Sequence, residues 1–284
     1  MTRVAVTAAS GKLGAGIVRA SCEIVGNENV VGLARTPSKA ASLGVEVRPG
    51  DYSRPDDLTK SLRDVESVLL VSGMDAPEKR ITQHRNVIDA AKSAGVKRIV
   101  YTSIQGSEQK TAFSPVVQSN RQTEADVRAS GLEWSIGRNG IYIEPDIEYL
   151  ETYKDAGEVA NCAGDGRCGY TTRGELGFAY AKMLTGTEHI EQTYNLHGDS
   201  LTQQQLVDHF NTTFGLDLNY RTMTVAEYRQ DRIAELGEFM GGIISGIYEG
   251  IRLGECDNES HFEQAAGRPH VSWDDYFATI EKAD

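Results

Sequence analysis

Cysteine is scarce in this 284-residue chain: there are four, at positions 22, 162, 168 and 256. The spacing of Cys162 and Cys168 matches neither a zinc site nor a redox pair. No metal site is expected, and reduced thiols are the plain reading. Long hydrophobic runs are also missing, and none approaches the ~20 residues needed to cross a bilayer. The first strand pattern starts at once, which leaves no room for a signal peptide. A cytoplasmic protein with no membrane partner is the expectation. Positive charge is the third shortage: 29 Lys and Arg stand against 41 Asp and Glu, a formal net charge of −12. That balance speaks against a nucleic-acid partner. There are no internal repeats and no long low-complexity segments.

What is present is 39% apolar residues, enough for one large α/β domain or one domain with a smaller appended lobe. Short runs rich in Val, Ile and Leu recur at 3–7, 29–34, 45–48, 66–71, 97–102 and 132–137. Strands covered on both faces have this composition. Helical patterns fill the gaps at 12–25, 38–43, 55–62, 79–94 and 116–130, with Ser38 and the Asp56–Asp57 pair as start signals. The alternation predicts right-handed crossovers and a doubly wound parallel sheet, the Rossmann fold of the α/β class. After residue 138 the pattern loosens. Residues 161–169 are Gly-rich and read as a loop, and helices resume at 173–185, 202–214, 224–235 and 238–252. Thr202 with Gln205 forms a capping-box pair for the second of these. The expectation is a cofactor-binding domain over 1–138, to which some later segments return. A smaller, mainly helical, substrate-binding lobe covers 139–284. Ligands in such folds lie outside the carboxyl ends of the strands, so the cleft between the two is the expected site.

The most telling stretch is the exit of the first strand. Val4 to Thr7 runs into Ser10-Gly11-Lys12-Leu13-Gly14, where the first helical pattern begins. A helix N-terminus offers free N–H groups and a positive dipole end, and glycines let the backbone approach a pyrophosphate. The bland alternative is an ordinary strand-to-helix turn. It loses ground because the second strand ends in Arg35, with Lys39 four residues on. An acid at this tip accepts from the 2′-hydroxyl of NAD; an arginine suits the 2′-phosphate of NADP, because its planar fork binds two oxygens. NADP is therefore the expected cofactor, with NADPH preferred over NADH. Its candidate contacts here are Thr7, Ser10, Gly11, Lys12, Leu13 and Arg35, although Arg35 also reads as a solvated surface residue. Asp51 and Tyr52 follow the third strand. Asp51 can accept from the adenine amine and Tyr52 offers a flat face. Asp51 reads equally as a turn residue after Gly50. Val71, Ser72 and Gly73 end the fourth strand beside the ribose and pyrophosphate, and Gly73 allows close backbone approach.

From these residues onward the chain resembles the NmrA-like branch of atypical short-chain dehydrogenases. Within it, the chain is most similar to type 2 NAD(P)H:quinone oxidoreductases and triphenylmethane dye reductases. The matching blocks run nearly end to end: 7–14, 47–52, 69–73, 83–91, 95–103, 138–140, 163–166, 172–173 and 194–196. One departure lies in the phosphate turn, which in the family reads T-G-A-T-G-x-x-G. Here Ala8 takes the place of the first glycine, while Gly11 and Gly14 are kept. If φ is positive at Ala8, the methyl costs on the order of 1 kcal/mol or more; if φ is negative, the methyl fills space near the cofactor.

Conventional short-chain dehydrogenases place a Ser at the end of the fifth strand, here Tyr101-Thr102-Ser103. A Tyr-x-x-x-Lys pair follows, whose Tyr protonates a carbonyl. The corresponding residues 113–124 contain no Tyr and no Lys, and Asn120 stands where the reductase relatives often carry a His. No such tetrad is assigned, which speaks against sugar-epimerase and alcohol-dehydrogenase chemistry. Thr102 and Ser103 remain candidate cofactor contacts and Asn120 a candidate substrate contact.

Hydride transfer to a quinone or a cationic dye does not need that tetrad. The cofactor carries the hard chemistry, and the protein holds the nicotinamide against a flat acceptor. The segment Arg138-Asn139-Gly140-Ile141-Tyr142 follows the sixth strand and is expected beside the nicotinamide. Asn139 is the candidate catalytic residue, bonding the carboxamide or orienting the acceptor oxygen. Asn139, Gly140 and Ile141 are candidate cofactor contacts, and Tyr142 can stack on a planar substrate. The alternative is that Asn139-Gly140 is only a tight turn. Met240, Ile243, Ile244, Ile247 and Tyr248 fall at spacings of three and four, a core-facing stripe or, more sharply, an apolar wall for an aromatic substrate. The resulting expectation is an NADPH-dependent reductase of quinones or related planar aromatics. Two other readings stay open: an NADP-sensing NmrA-like regulator without turnover, and a monooxygenase-like tailoring enzyme acting on an aromatic natural product. The expected partner is a small aromatic or quinone molecule, and a homodimer is compatible with the resemblance.

Overall fold

The computed structural model describes residues 3–281. Seven parallel strands form one sheet: β1 (Val4–Val6), β2 (Val30–Ala34), β3 (Glu46–Pro49), β4 (Ser67–Val71), β5 (Arg98–Ile104), β6 (Glu133–Asn139) and β7 (Gln192–Leu196). Their spatial order is β7-β6-β5-β4-β1-β2-β3. The order reverses between β1 and β4, so the crevice for a ligand opens at the carboxyl ends of those two strands. Alternate residues of each strand serve opposite layers. Val4 and Val6 pack with Leu13, Ile17 and Val18 of helix α1 (Lys12–Val25), whereas Ala5 packs with Leu58 and Leu62 around α2 (Pro55–Ser61). Helices α3 (Pro77–Ala94) and α4 (Ser114–Arg128) cover that second face through Val87, Ile88 and Val127.

Two short helices, α5 (Glu144–Glu148) and α6 (Leu150–Ala156), follow β6. The chain then returns to the sheet. Helix α7 (Arg173–Thr185) packs on α1 so closely that a Cβ on Gly177 would stand 3.1 Å from the carbonyl carbon of Gly16. Strand β7 adds to the edge at β6, the feature that the alternation of Val, Ile and Leu did not reveal. Its sequence, Gln192 to Leu196, is largely polar because it is an edge strand. So the segment after residue 138 gives α7, β7 and the short α10 (Phe262–Ala266) to the first layer. The remainder forms the smaller lobe, with its own core of Ile143, Leu150, Tyr170, Leu206, Phe210, Trp273 and Phe277. Helix α8 (Gln203–Phe214) starts with the expected capping box, Thr202 and Gln205. Helix α9 (Val225–Arg252) breaks at Gly237, whose φ of +79° only glycine adopts freely, and so divides where the sequence shows two helices. The last helix, α11, spans Trp273–Glu281.

One expected helix differs. Residues 37–43 form a 3₁₀ helix that starts on Pro37, with Thr36 as its cap, rather than an α-helix opened by Ser38. Of the apolar stripe of α9, Ile243 and Ile247 pack half-buried against Phe113, Val116 and Val117, Tyr248 packs on the core of the smaller lobe, and Met240 alone of the five is exposed.

Candidate active site

Strand β1 hands the chain to α1 through a tight turn. Ala8 adopts φ +49°, so the left-handed alternative is the one realised, and its carbonyl accepts from Gly11 N at 2.9 Å. A Cβ on Gly14 would lie 2.3 Å from that same carbonyl oxygen, so only glycine lets α1 sit on the turn. Gly11 caps α1 without a side-chain acceptor. The amides of the first helical turn therefore stay free to meet an anion. Ser10, Gly11 and Lys12 are exposed here, while Leu13 packs inward. Lys12 Nζ reaches Glu148 at 2.6 Å, and Glu148 also accepts from Arg173, tying the turn to the second lobe. This turn fits the pyrophosphate of a dinucleotide.

Thr7 and Tyr52 are placed differently from expectation. Thr7 Oγ1 bonds the Tyr52 hydroxyl at 2.5 Å, Tyr52 donates to Val71 O at 2.8 Å, and Val71 N donates back to Thr7 Oγ1 at 2.9 Å. Thr7 is fully buried and Tyr52 is 8% exposed. Tyr52 therefore offers adenine no flat face; the two side chains lock the ends of β1 and β4 together. Burial also raises the Tyr52 phenol, which stays neutral. Asp51 accepts from Ser53 N at 2.9 Å, the turn role. Arg35 stands exposed at the tip of β2, with Lys39 exposed nearby.

The loop after β4 is held from behind. Ser72 N donates to Thr102 Oγ1 at 2.9 Å, and Ser72 Oγ donates to Asn120 Oδ1 at 3.0 Å. Gly73 N donates to His84 Nε2 at 2.9 Å. An acceptor at Nε2 puts the proton on Nδ1, which faces Thr123 Oγ1 at 2.9 Å. His84 is fully buried, and burial together with the Arg80 charge pushes it down to about 3. Its role was not read from the sequence, although it lies in the stretch 83–91 that carries the resemblance.

The inner face of α4 is sealed. Asn120 is 2% exposed, receives Tyr101 Oη at 2.7 Å as well as Ser72, and donates to Val116 O at 2.8 Å. The expected substrate contact through Asn120 is thus corrected to a support beneath Ser72. One turn further, Glu124 is 1% exposed and takes Ser103 Oγ at 2.7 Å, Arg121 at 2.9 Å and both arms of Arg138. Burial alone would raise its carboxyl, but the Arg138 and Arg121 contacts outweigh it and hold it below the usual range. Thr102 and Ser103 are buried in these networks, so their side chains do not line the cleft. A polar recess of about 380 Å³ opens beside the cluster, lined in part by Lys110, Arg121, Arg138 and Asn258.

Asn139 ends β6 and points to the opposite face. Its Oδ1 receives the Tyr180 hydroxyl at 2.5 Å, and its Nδ2 lies 3.0 Å from the Tyr142 hydroxyl. Tyr180 Oη shares its one proton between Asn139 Oδ1 and Gly137 O, the latter 2.9 Å away, so a helix, a strand and the following loop meet at one amide. Asn139-Gly140 is more than a tight turn. Gly140 N bonds Leu196 O and Ile141 N bonds Gly169 O, which takes both amides away from a cofactor. A Cβ on Gly140 would stand 2.4 Å from Gly169 O. Tyr142 is half-buried, its ring lies under the Arg173 guanidinium at 5.5 Å, and burial pushes its phenol up to about 12.

A family model described as NAD(P)H-binding matches residues 8–162. Quinone oxidoreductase 2 of Escherichia coli (strain K12) is 33% identical over 229 residues, 79% of each chain. An NmrA-like family domain-containing oxidoreductase of Aspergillus flavus is 29% identical over 266 residues, 89% of this chain and 86% of its own. The structure of Citrobacter sp. triphenylmethane reductase complexed with NADP(H) is 29% identical and superposes with a TM-score of 0.89, covering 99% of this chain and 100% of that one.

Proposed function

This chain belongs to the NAD(P)H-binding family and is an NAD(P)H-dependent oxidoreductase, and we propose that it reduces quinones or related planar aromatic compounds with NADPH. The observation that carries the reading is the pairing of an uncapped, glycine-fitted α1 turn with an α4 face that offers no proton donor. When bound, NADPH supplies the hydride. Everything else falls to the protein. The first turn of α1 holds the pyrophosphate, and Arg35 holds the 2′-phosphate through its planar fork. Ser72 and Gly73, fixed by Thr102, Asn120 and His84, form one wall. Asn139, 5% exposed and fixed by Tyr180, acts through Tyr142, whose hydroxyl it bonds, and Tyr142, half-buried, supplies a flat surface for a planar ring at the nicotinamide end. Asn120 and Glu124 are both spent on internal bonds. Binding and orientation are therefore the protein's contribution, and acceptors that need a Tyr–Lys pair are disfavoured.

The test is NADPH consumption with a panel of quinones, run with and without oxygen. Acceptor-dependent consumption that is indifferent to oxygen supports the reading. NADPH binding with no turnover on any acceptor refutes it, and so does oxygen incorporated into an aromatic product.

A further inference from the structure

Arg80 lies on the first turn of α3 and is 3% exposed. A guanidinium stays charged at any physiological pH and is rarely buried without a carboxylate. Arg80 forms no ion pair with any acid among the described residues. Its hydrogen bond is from Nη1 to Ser119 Oγ, at a long 3.3 Å, and its Nε is buried with no partner. Glu78, two residues back, is exposed and makes no ion pair with it, and Asp75, whose charge favours the Arg80 cation, is committed to Lys79 at 3.1 Å and to Gln83 at 2.7 Å. The other groups around Arg80 are neutral: His84, one turn on, and the phenol of Tyr101, which donates to Asn120.

Position gives this unpaired charge a meaning. Ser119 adjoins Asn120, which holds Ser72, and His84 holds Gly73. Arg80 therefore belongs, through Ser119 and one turn from His84, to the network that holds Ser72-Gly73 at the carboxyl end of β4, where this fold binds its ligands. A buried, half-bonded cation destabilises the free protein unless an anion completes it, and such local violations belong to functional sites.

We propose that Arg80, steadied by Ser119, is the recognition point for an anionic oxygen of the bound ligand, and that it favours planar acceptors carrying a negatively charged oxygen. The acceptor assignment rests on the reductase reading above. The same chemistry has a second source, a phosphate oxygen of the cofactor, and the experiment separates the two.

The full-length protein and its Arg80→Met and Arg80→Lys variants are titrated by calorimetry in three arms. These are NADP⁺ alone, then 1,2-naphthoquinone-4-sulfonate and uncharged 1,2-naphthoquinone, each in the presence of NADP⁺. Thermal midpoints are measured alongside. Arg80→Met is expected to keep or raise the midpoint, since an unpaired buried charge is removed. It is expected to weaken the sulfonate by about ten- to a hundredfold and to leave the uncharged quinone unchanged. Arg80→Lys, which keeps the charge and loses the fork, falls between. Weaker NADP⁺ binding with sulfonate binding unchanged assigns the oxygen to the cofactor and refutes the acceptor preference. A methionine variant that melts well below wild type and binds all three ligands as before overturns the proposal, because Arg80 is then a structural strut. Turnover plays no part in these titrations. A wild-type protein that reduces none of the quinones refutes the reductase reading, while the sulfonate titration still decides for or against the anion preference of Arg80.

Discussion

Replacing Ala8 with glycine is expected to stabilise the protein. Ala8 holds φ at +49°, where an L-residue places Cβ against the following carbonyl, at a cost of roughly 1–2 kcal/mol. Glycine escapes that clash but gives the unfolded chain more freedom, which returns roughly 0.5–1 kcal/mol. The net gain is about 0.5–1 kcal/mol. A chain of 284 residues unfolds with an entropy on the order of 0.6 kcal/mol per degree, so the midpoint rises by about 1–2 °C. The carbonyl that accepts from Gly11 stays in place, so NADP⁺ affinity is expected to change by no more than about threefold, or roughly 0.6 kcal/mol. Scanning calorimetry and isothermal titration on the same preparation give both numbers. Ala9→Gly is the control. Ala9 is fully buried, and a Cβ at Gly32 would come within 3.0 Å of its methyl, so this change is expected to destabilise by about 1–2 kcal/mol. If Ala8→Gly falls with Ala9→Gly, the Ala8 methyl is a packing element and the strain argument fails.

Arg35→Ala is expected to cut NADPH affinity by about ten- to a hundredfold, the worth of one charge-assisted bond, and to leave NADH affinity alone. Equal affinities for the two cofactors in wild type, read by fluorescence titration, refute the role given to Arg35. Asn139→Ala is expected to lower kcat more than it weakens NADP⁺ binding, since misplacement by about 1 Å costs on the order of a hundredfold in rate. Tyr142→Ala is expected to raise KM for a planar acceptor. Full activity in both variants, once shown to be folded, means that the active site lies elsewhere. His84 titrates near 6.5 unfolded and about 3 folded, so the unfolded state takes up the proton first. Its contribution to stability is complete above about pH 6.5 and is lost as pH falls through that value toward 3, roughly 2 kcal/mol at pH 5. Urea unfolding at pH 7.5 and 5 tests this against His84→Gln. An equal acid loss in the variant assigns the effect to other groups.

Local signals were legible wherever the physics is local. The strand-turn-glycine-helix at residues 4–14 follows from apolar run, turn residues and helix start, and α1 begins at Lys12 as expected. The Thr202–Gln205 box and the break before residue 238 are likewise set by residues within one turn of each other. Arg35 falls at the tip of β2 because strand and helix lengths alone place it there. What tertiary structure decided are pairings between distant residues. Thr7 and Tyr52 carry the right chemistry for a cofactor site, yet 45 positions apart they find each other and Val71 instead. Asn120 turns inward because Tyr101 reaches it from β5 and Ser72 from the loop after β4. The polar strand at 192–196 pairs only because β6 presents a free edge to it. Arg80 differs from an ordinary helix arginine only by burial. A sequence records that a side chain is charged; whether a partner stands beside it depends on which segments the fold brings together.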